Sequence, residues 1–431
     1  MSVGLVRLRE EPELLRQAAQ DKGEDPALVD RAVELDAERR RLLSEVERLR
    51  AERKEVSARV GAALKAGQQG PATDGLRGRS QTIGSQIEAE EERLRHIDAR
   101  LDELLLRIPN PADPDVPVGG EEASVIVRSW GEPQPPTTEG WTRRPHWEVA
   151  ERLGIIDLAA GAKVTGSGFP VYRGAGAALQ RALIELMLDI HTREHGMTEI
   201  WPPALVNEAS ARGTGQIPDK EDQMYVVTRD GLYLNPTAEV AVTNIHRDEI
   251  IEPARLPIRY VAYSPSFRRE AGAAGRQTRG ILRVHQFDKV EMVAFERPAD
   301  SPASLEWLTE RAEVVLQRLG LAYRVKLMST REMGFVQAKK YDLEVWAPGV
   351  EEWLEVSSVS NFRDYQARRM NIRYRPEPGA KAEIVHTLNG SGLALARTVA
   401  ALLEVYHTRD GTLQLPPALA GAVGGRLQPV K

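Results

Sequence analysis

Two long runs of apolar residues at heptad spacing constrain this chain more than anything else in it. In the first, Leu28, Leu35, Leu42, Val46, Leu49, Val56 and Val60 follow one another at steps of three, four and seven. Ile83, Ile87, Leu94, Ile97, Leu101, Leu104 and Ile108 repeat the pattern in the second. A stripe of that period stays on one side of a helix only if the helix winds around a partner. Between the two lies a breaker-rich stretch, Gly61 to Arg79. The expected structure is therefore one antiparallel coiled-coil hairpin with that stretch as its link. The first helix, about 37 residues at ~1.5 Å each, should reach roughly 55 Å. Arg39 and Arg53 fall on the first seam, so they must lay their methylenes along it and hold the guanidinium at the edge. Such a rod has little apolar surface left for a globular body and is expected to project.

The remaining length needs more than one core. A chain of 431 residues suggests two or three domains. The stretch Ile108 to Pro117 carries four prolines and is a natural boundary. A second Pro-rich connector, Glu132 to Pro136, leads into the second domain. The division expected is 1–110 for the helical arm, 111–136 for a linker and 137–431 for the main body. Formal net charge is only −5, so any contact with nucleic acid must come from a local patch. One candidate is the arm from Arg48 to Arg79, with eight Arg or Lys against three Asp or Glu. That half-rod can be a solvated coiled coil, a dimerisation element or a reader of phosphate, which needs rigid cations and no base code. The chain has no cysteine, which excludes disulfides and thiolate metal sites. It has no run of about 18 apolar residues and no signal-peptide pattern. A soluble cytoplasmic protein is expected, with neither membrane nor DNA as partner.

In the body, the densest chemistry runs from Tyr263 to Phe295. It opens on Arg268, Arg269 and Glu270, passes a small-residue loop holding Arg276 and Arg279, and closes on an alternating segment from Ile281. Odd positions there carry Arg283, His285, Phe287, Lys289 and Glu291; even ones carry Leu282, Val284, Val290 and Met292. Successive strand residues point to opposite faces, so this reads as two antiparallel strands with one apolar face and one chemically loaded face. Guanidiniums around a glycine-bearing loop suit a polyphosphate, because each presents a rigid fork to phosphate oxygens. Phe287 could stack a base, and Glu270 and Glu291 could accept from amino groups. The plainer reading is an amphipathic hairpin with a solvated charged face.

Other stretches are weak alone. Gly174 to His195 has helical period, and Met197 to Ile200 reads as a strand stopped by Trp201-Pro202-Pro203. Met224 to Leu234 reads as a hairpin turning at Asp230-Gly231. It delivers Thr237, Ala238 and Glu239, where Thr237 could simply cap a helix and Glu239 favour its N-terminus. Leu343 to Trp346 and Trp353 to Asn361 look like core strands. His386 to Gly392 reads as a glycine-rich turn opening a helix to Tyr406, with Arg397 on its second turn, a ready anion site. It lacks Gly-Lys-Ser/Thr and is no P-loop.

Together these stretches resemble one family. FRREAG, TRG and RVHQFDKVEM resemble the second signature motif of class II aminoacyl-tRNA synthetases, and in detail that of seryl-tRNA synthetases. Helix, strand and proline at 174–203 resemble the first motif, which in that class usually builds a dimer interface. Thr237-Ala238-Glu239, the LEVSSVSNFRDYQARRM segment and LNGSGLALAR resemble further family segments, in family order. The resemblance implies an α+β fold: an N-terminal helical hairpin and an antiparallel-sheet catalytic domain flanked by helices, acting as a homodimer. It implies activation of L-serine by ATP with Mg2+, then transfer to tRNA(Ser), or to tRNA(Sec) where one exists. By the same resemblance Arg268, Arg397 and Glu355 are catalytic. ATP would meet Arg268, Arg269, Glu270, Val284, Phe287, Glu355, Val356, Ser357, Ser358 and Arg397. Val284 stands there from the family alone, since strand parity puts it on the other face. Glu355 and Ser358 would hold magnesium on the phosphates, which prefers hard oxygen donors. Thr237, Ala238, Glu239, Glu291, Asn389 and Ser391 would form the serine pocket. Arg53, Lys54 and Arg59 on the arm would grip tRNA. The family's zinc-dependent form uses a cysteine, so no zinc is expected.

The chain departs from the family pattern at a few points. Ala396 stands where glycine is usual, Ser329-Thr330-Arg331-Glu332 replaces a Thr-Gly-Asp neighbourhood, Val359 replaces a common cysteine and Ala273 a frequent serine. These leave open a specialised paralogue or a non-catalytic RNA-binding one, which intact motif arginines argue against.

Overall fold

A computed structural model describes residues 3–271, 279–421 and 425–429. The chain separates into two compact units, Met1–Pro109 and Asn110–Lys431.

In the first unit, two short helices, α1 (Leu5–Glu10) and α2 (Pro12–Asp21), precede the long α3 (Ala27–Lys65) and α4 (Pro71–Leu105). The link between the long helices is only 66–70. The stretch expected to be breaker-rich is mostly helix, because Gly61, Gly75 and Gly78 sit where no neighbour demands a turn and Pro71 starts α4 at a position with no donor to lose. The seam is as the heptads require: Leu35, Leu42, Val46, Leu49 and Val56 are buried, with Ile83, Ile87, Ile97 and Leu101 on α4. At its base Val29 rather than Leu28 is the buried residue. Arg39 reaches across the hairpin to Asp98, Nε to Oδ1 2.6 Å. Arg53 lays its guanidinium over Gly84, within 3.4 Å of where a Cβ would stand.

The second unit is built on an eight-stranded sheet. In chain order the strands are β1 (Val125–Trp130), β2 (Thr198–Ile200), β3 (Ile258–Phe267), β4 (Gln286–Glu296), β5 (Tyr323–Leu327), β6 (Lys339–Ala347), β7 (Glu352–Arg363) and β8 (His386–Ala394). Their spatial order is β1-β5-β6-β7-β8-β4-β3-β2. All neighbours are antiparallel except β3 and β2. The fold is thus a long helical hairpin plus an antiparallel-dominated sheet with helices. The Pro-rich stretch 111–136 contributes the edge strand β1. Against the sheet pack α5 (Ala175–Asp189), α7 (Ala238–Thr243), α8 (Ser301–Arg318), α9 (Tyr365–Met370) and α10 (Leu395–Tyr406); α6 (Glu208–Thr214) packs on α7 and α9.

On β4 both faces are covered. Met292 and Ala294 enter one apolar core, while Val293 and Phe295 enter a second with Ala238, Val242 and Met370. The loaded face expected on this strand is therefore itself buried from Lys289 onward. No helix among the described residues is long and apolar enough to cross a membrane.

Candidate active site

The middle of the sheet lines a cleft of about 450 Å³. Three local departures from regular strand geometry decide which side chains reach it.

The first lies before β4. Residues 281–285 are irregular turn and bend, not strand, so parity does not govern them. Leu282, Arg283 and Val284 all line the cleft with Phe287, and the opposite-face placement of Val284 is corrected. Arg279 stacks on Trp147, its Cζ 4.6 Å from the ring centroid; Arg276 and Ala273 lie outside the described residues.

A bulge at Val356 on β7 is the second. Ser358 pairs with Asp342 and Ser357 with Leu343, but Glu355 pairs with Glu344, so one extra residue intervenes. Three positions apart, Glu355 and Ser358 would face opposite sides of a regular strand; the bulge puts both in the cleft, with Ser358 Oγ 3.0 Å from Glu355 Oε1. Ser358 also meets Asp342 on β6, whose other oxygen is 3.0 Å from Lys340 Nζ. Burial pushes the Asp342 carboxyl up to about 6. Glu355 is also penalised by its surroundings, but Lys340 and Arg397 outweigh that and hold it below the usual carboxylate range. Its side chain is ringed by protein yet 44% solvent-accessible, since it faces the open cleft.

On β8 lies the third. His386–Ala394 is strand rather than the expected turn, and α10 starts at Leu395, placing Arg397 on its first turn and not its second. The glycines serve close packing. A Cβ on Gly390 would lie 3.1 Å from Val359, and one on Gly392, the bulged residue, 2.6 Å from the His191 ring. Asn389 and Ser391, two apart, then share the cleft face. Arg397 donates to the carbonyls of Leu282 at 3.0 Å and Glu355 at 2.9 Å, tying the two walls together.

One end of the cleft is closed and polar. Thr237 occupies the N-cap position of α7, but its side chain makes no capping bond; Oγ1 is buried with no partner among the described residues. Ala238 is the buried first residue of α7. Glu239 and Glu291 are bridged by one amide: Asn389 Nδ2 donates to Glu239 Oε2 at 2.7 Å and to Glu291 Oε1 at 3.0 Å. Ser391 Oγ donates to Glu291 Oε2 at 3.2 Å, and Lys289 Nζ lies 2.7 Å from the same oxygen. Burial, then the Glu291 charge, pushes the Glu239 carboxyl up to about 7. Burial lowers the Lys289 ammonium. The two carboxylates face Lys289 and, from the cleft wall, Lys220, whose ammoniums burial lowers, and they suit a small ligand carrying an ammonium and a hydroxyl.

The other end is more open and cationic. Arg268 sits over Phe287, Cζ 5.2 Å from the ring centroid, and its Nε donates to the Pro236 carbonyl at 3.4 Å. Glu270 accepts from Arg283 at 2.8 Å. Val356 lines the cleft, and the Ser357 hydroxyl donates to the Ser391 carbonyl at 2.6 Å. Arg269 is not brought in: it is exposed and donates to the Asp222 carbonyl at 3.0 Å. Lys340, Asp342 and Lys289 were absent from the sequence-derived site. Alternation along KKYDLEVW and DKVEM places each on the cleft side, which was the signal available. Among the described residues no cluster of three or more His, Cys, Asp or Glu could hold a metal by itself. The Glu355–Ser358 oxygens fit instead an ion carried in on a phosphate.

On the arm, Arg53, Lys54 and Arg59 are exposed and have no ion pair among the described residues. Their neighbours Arg48, Arg50 and Arg79 are engaged by Glu45, Glu91 and Glu52.

Sheet order, cleft and motif arginines define a class II aminoacyl-tRNA synthetase core. Residues 225–406 match the tRNA synthetase class II core domain shared by the G, H, P, S and T enzymes, and residues 5–112 match the seryl-tRNA synthetase N-terminal domain. The chain is 52% identical over 365 residues to a serine–tRNA ligase of Gemmatimonas aurantiaca, covering 85% of this chain and 84% of the relative. With a serine–tRNA ligase of a Geobacillus species it shares 53% over 343 residues, 79% of this chain and 80% of the relative. A crystal structure of seryl-tRNA synthetase from Pyrococcus horikoshii complexed with ATP superposes with a TM-score of 0.93 at 37% identity, covering 99% and 100% of the two chains. The chain belongs to the seryl-tRNA synthetase family.

Proposed function

We propose that this serine–tRNA ligase works by dividing its cleft between two ligands, L-serine at the closed end and ATP at the open one. The observation carrying this is the pair Glu239–Glu291 bridged by Asn389, beside Lys289 and the Thr237 hydroxyl, which has no partner among the described residues. The serine ammonium goes to Glu239 and Thr237, and its hydroxyl to Glu291, with Asn389 and Ser391 holding that carboxylate. Adenine stacks on Phe287 near Glu270 and Val284. Arg268 takes the α-phosphate and Arg397 the γ-phosphate. Serine carboxylate oxygen attacks the α-phosphorus, the bond to the β-phosphate oxygen breaks, and pyrophosphate leaves. Alignment and charge neutralisation do this work, with no protein nucleophile. Glu355 and Ser358 would hold the magnesium carried by ATP, which supplies further neutralisation of the phosphates. In the second step a 3′-terminal ribose hydroxyl of tRNA(Ser) attacks the seryl carbonyl and AMP departs. Arg53, Lys54 and Arg59 meet tRNA phosphates, and tRNA(Sec) is a second acceptor where the cell has one. A homodimer working in the cytoplasm completes the reading; the specialised and non-catalytic paralogues are not favoured by relatives at this identity.

The test is serine-dependent ATP–pyrophosphate exchange, followed by charging of total tRNA with serine. Exchange without charging would overturn the transfer step, and no exchange would overturn the whole.

A further inference from the structure

Gln366, on α9, is not among the residues lining the cleft, yet it touches the closed end from behind. It is 1% exposed. Its Nε2 donates to Glu239 Oε1 at 2.7 Å and to the Thr214 carbonyl at 3.0 Å. Its Oε1 accepts from Thr387 Oγ1 on β8 at 2.8 Å. Thr387 can only donate to that oxygen, since both Nε2 hydrogens are already spent on acceptors. The amide orientation is therefore fixed by its partners.

The consequences meet at Glu239. One of its oxygens is held by Asn389 from the cleft side, and the other by Gln366 from the rear. A buried carboxylate with one amide on each oxygen is fixed in orientation and keeps a lone pair on each oxygen, and because Glu239 lines the cleft a cation can reach it from there. Thr214 ends α6, and the chain turns at Gly215 with φ +90 into the cleft wall at Gln216. The same amide thus locks the wall to the carboxylate.

We propose that Gln366 is a positioning residue for amino-acid recognition: it aims the Glu239 carboxylate at the substrate ammonium and registers the Thr214–Gln216 wall against it. This rests on Glu239 being the ammonium receptor. Nothing in the role requires contact with serine, ATP or tRNA.

The charged groups facing Glu239 are Glu291 across the Asn389 bridge, Lys289 beside Glu291, and Lys220 from the wall. Gln366 bonds to the ionised form of Glu239 and so favours it, against burial and Glu291. Removing that bond must move Glu239 further up. In the wild-type enzyme, kcat/KM for serine should fall as pH drops through about 7, where Glu239 takes a proton and can no longer pair an ammonium. With the bond removed, the fall should begin at higher pH.

The experiment is pyrophosphate exchange on Gln366→Met, which keeps side-chain length, with serine and ATP varied separately from pH 6 to 9. Serine KM is expected to rise about tenfold to a hundredfold, the loss of one hydrogen bond to a charged group. The ATP KM should stay near wild type and the acid limb of the serine profile should shift upward. Unchanged serine KM and limb overturn the proposal. So does an equal loss in both substrates with no shift of the limb, which is what mere loosening of the fold would give. Glu239→Gln is measured alongside. If that change leaves serine KM intact, the ammonium assignment itself has failed; if it raises serine KM while Gln366→Met is silent, only the positioning role has failed.

Discussion

Glu291 and Arg268 share one cleft but are held in opposite ways. Glu291 is fully buried and meets Lys289, Asn389 and Ser391 before any ligand arrives. Arg268 is half-buried, lies over an aromatic ring, and among the described residues its guanidinium has only a long hydrogen bond to a carbonyl. Burial explains the difference. A carboxylate withdrawn from water must be compensated by fixed donors or it protonates, whereas a cation at an open cleft stays solvated until an anion displaces the water. On the proposed division of the cleft, the closed end would therefore read one small molecule rigidly, and the open end would hold positive charge in reserve for phosphates. The arm repeats the second strategy, with Arg53, Lys54 and Arg59 left exposed while nearby cations are tied to glutamates.

Substitutions can break this contrast, beginning with the largest effect. Arg268→Ala should lower exchange by about a hundredfold to a thousandfold, as loss of one preorganised charge contact to a transition state does. A rate near wild type would remove Arg268 from the phosphate site. Glu291→Gln should raise serine KM about tenfold to a hundredfold while leaving ATP KM unchanged, since it strips Lys289 of its buried counter-charge and alters the closed end without touching the open one. Equal losses in both substrates would mean that the two ends are not separable. Reversing Arg53, Lys54 and Arg59 together should leave exchange intact and raise the tRNA KM roughly tenfold, with a shallower salt dependence than wild type. Charging kinetics that do not change would make those residues a solvated face. Arg269→Ala should change ATP KM by less than about twofold, as expected for an exposed side chain away from the cleft.

Much of this was legible in residues whose spacing has one physical meaning. The arm seam follows from heptads, because only one side of each helix can be apolar at that period. Its link was misread, since glycines in a long helix mark a turn only where the backbone needs one, and Gly75 and Gly78 do not. The residues of the closed end were legible by family resemblance, but the bonds that hold them were not: Gln366 lies far along the chain from Glu239, and although it stands in a segment that resembles the family, nothing in that resemblance shows which partner its amide takes. The phosphate end failed at Val284 because parity was carried past the start of β4. Glu355 and Ser358 were brought together only through the motif, since their three-residue spacing reaches one cleft face through a bulge that no alternation rule reveals. The HTLNGSG glycines were read as turn residues, although in the sheet they make room for Val359 and His191.

The contrast stands or falls on whether the closed end recognises the serine hydroxyl independently of the open end. Exchange should be measured with serine and with alanine in parallel, each across a range of ATP concentrations. Serine is expected to exceed alanine in kcat/KM by about 10⁴, because alanine leaves buried hydroxyl partners unpaired. ATP should show one KM whichever amino acid is present. Comparable rates with alanine, or an ATP KM that shifts with the amino acid, would contradict it.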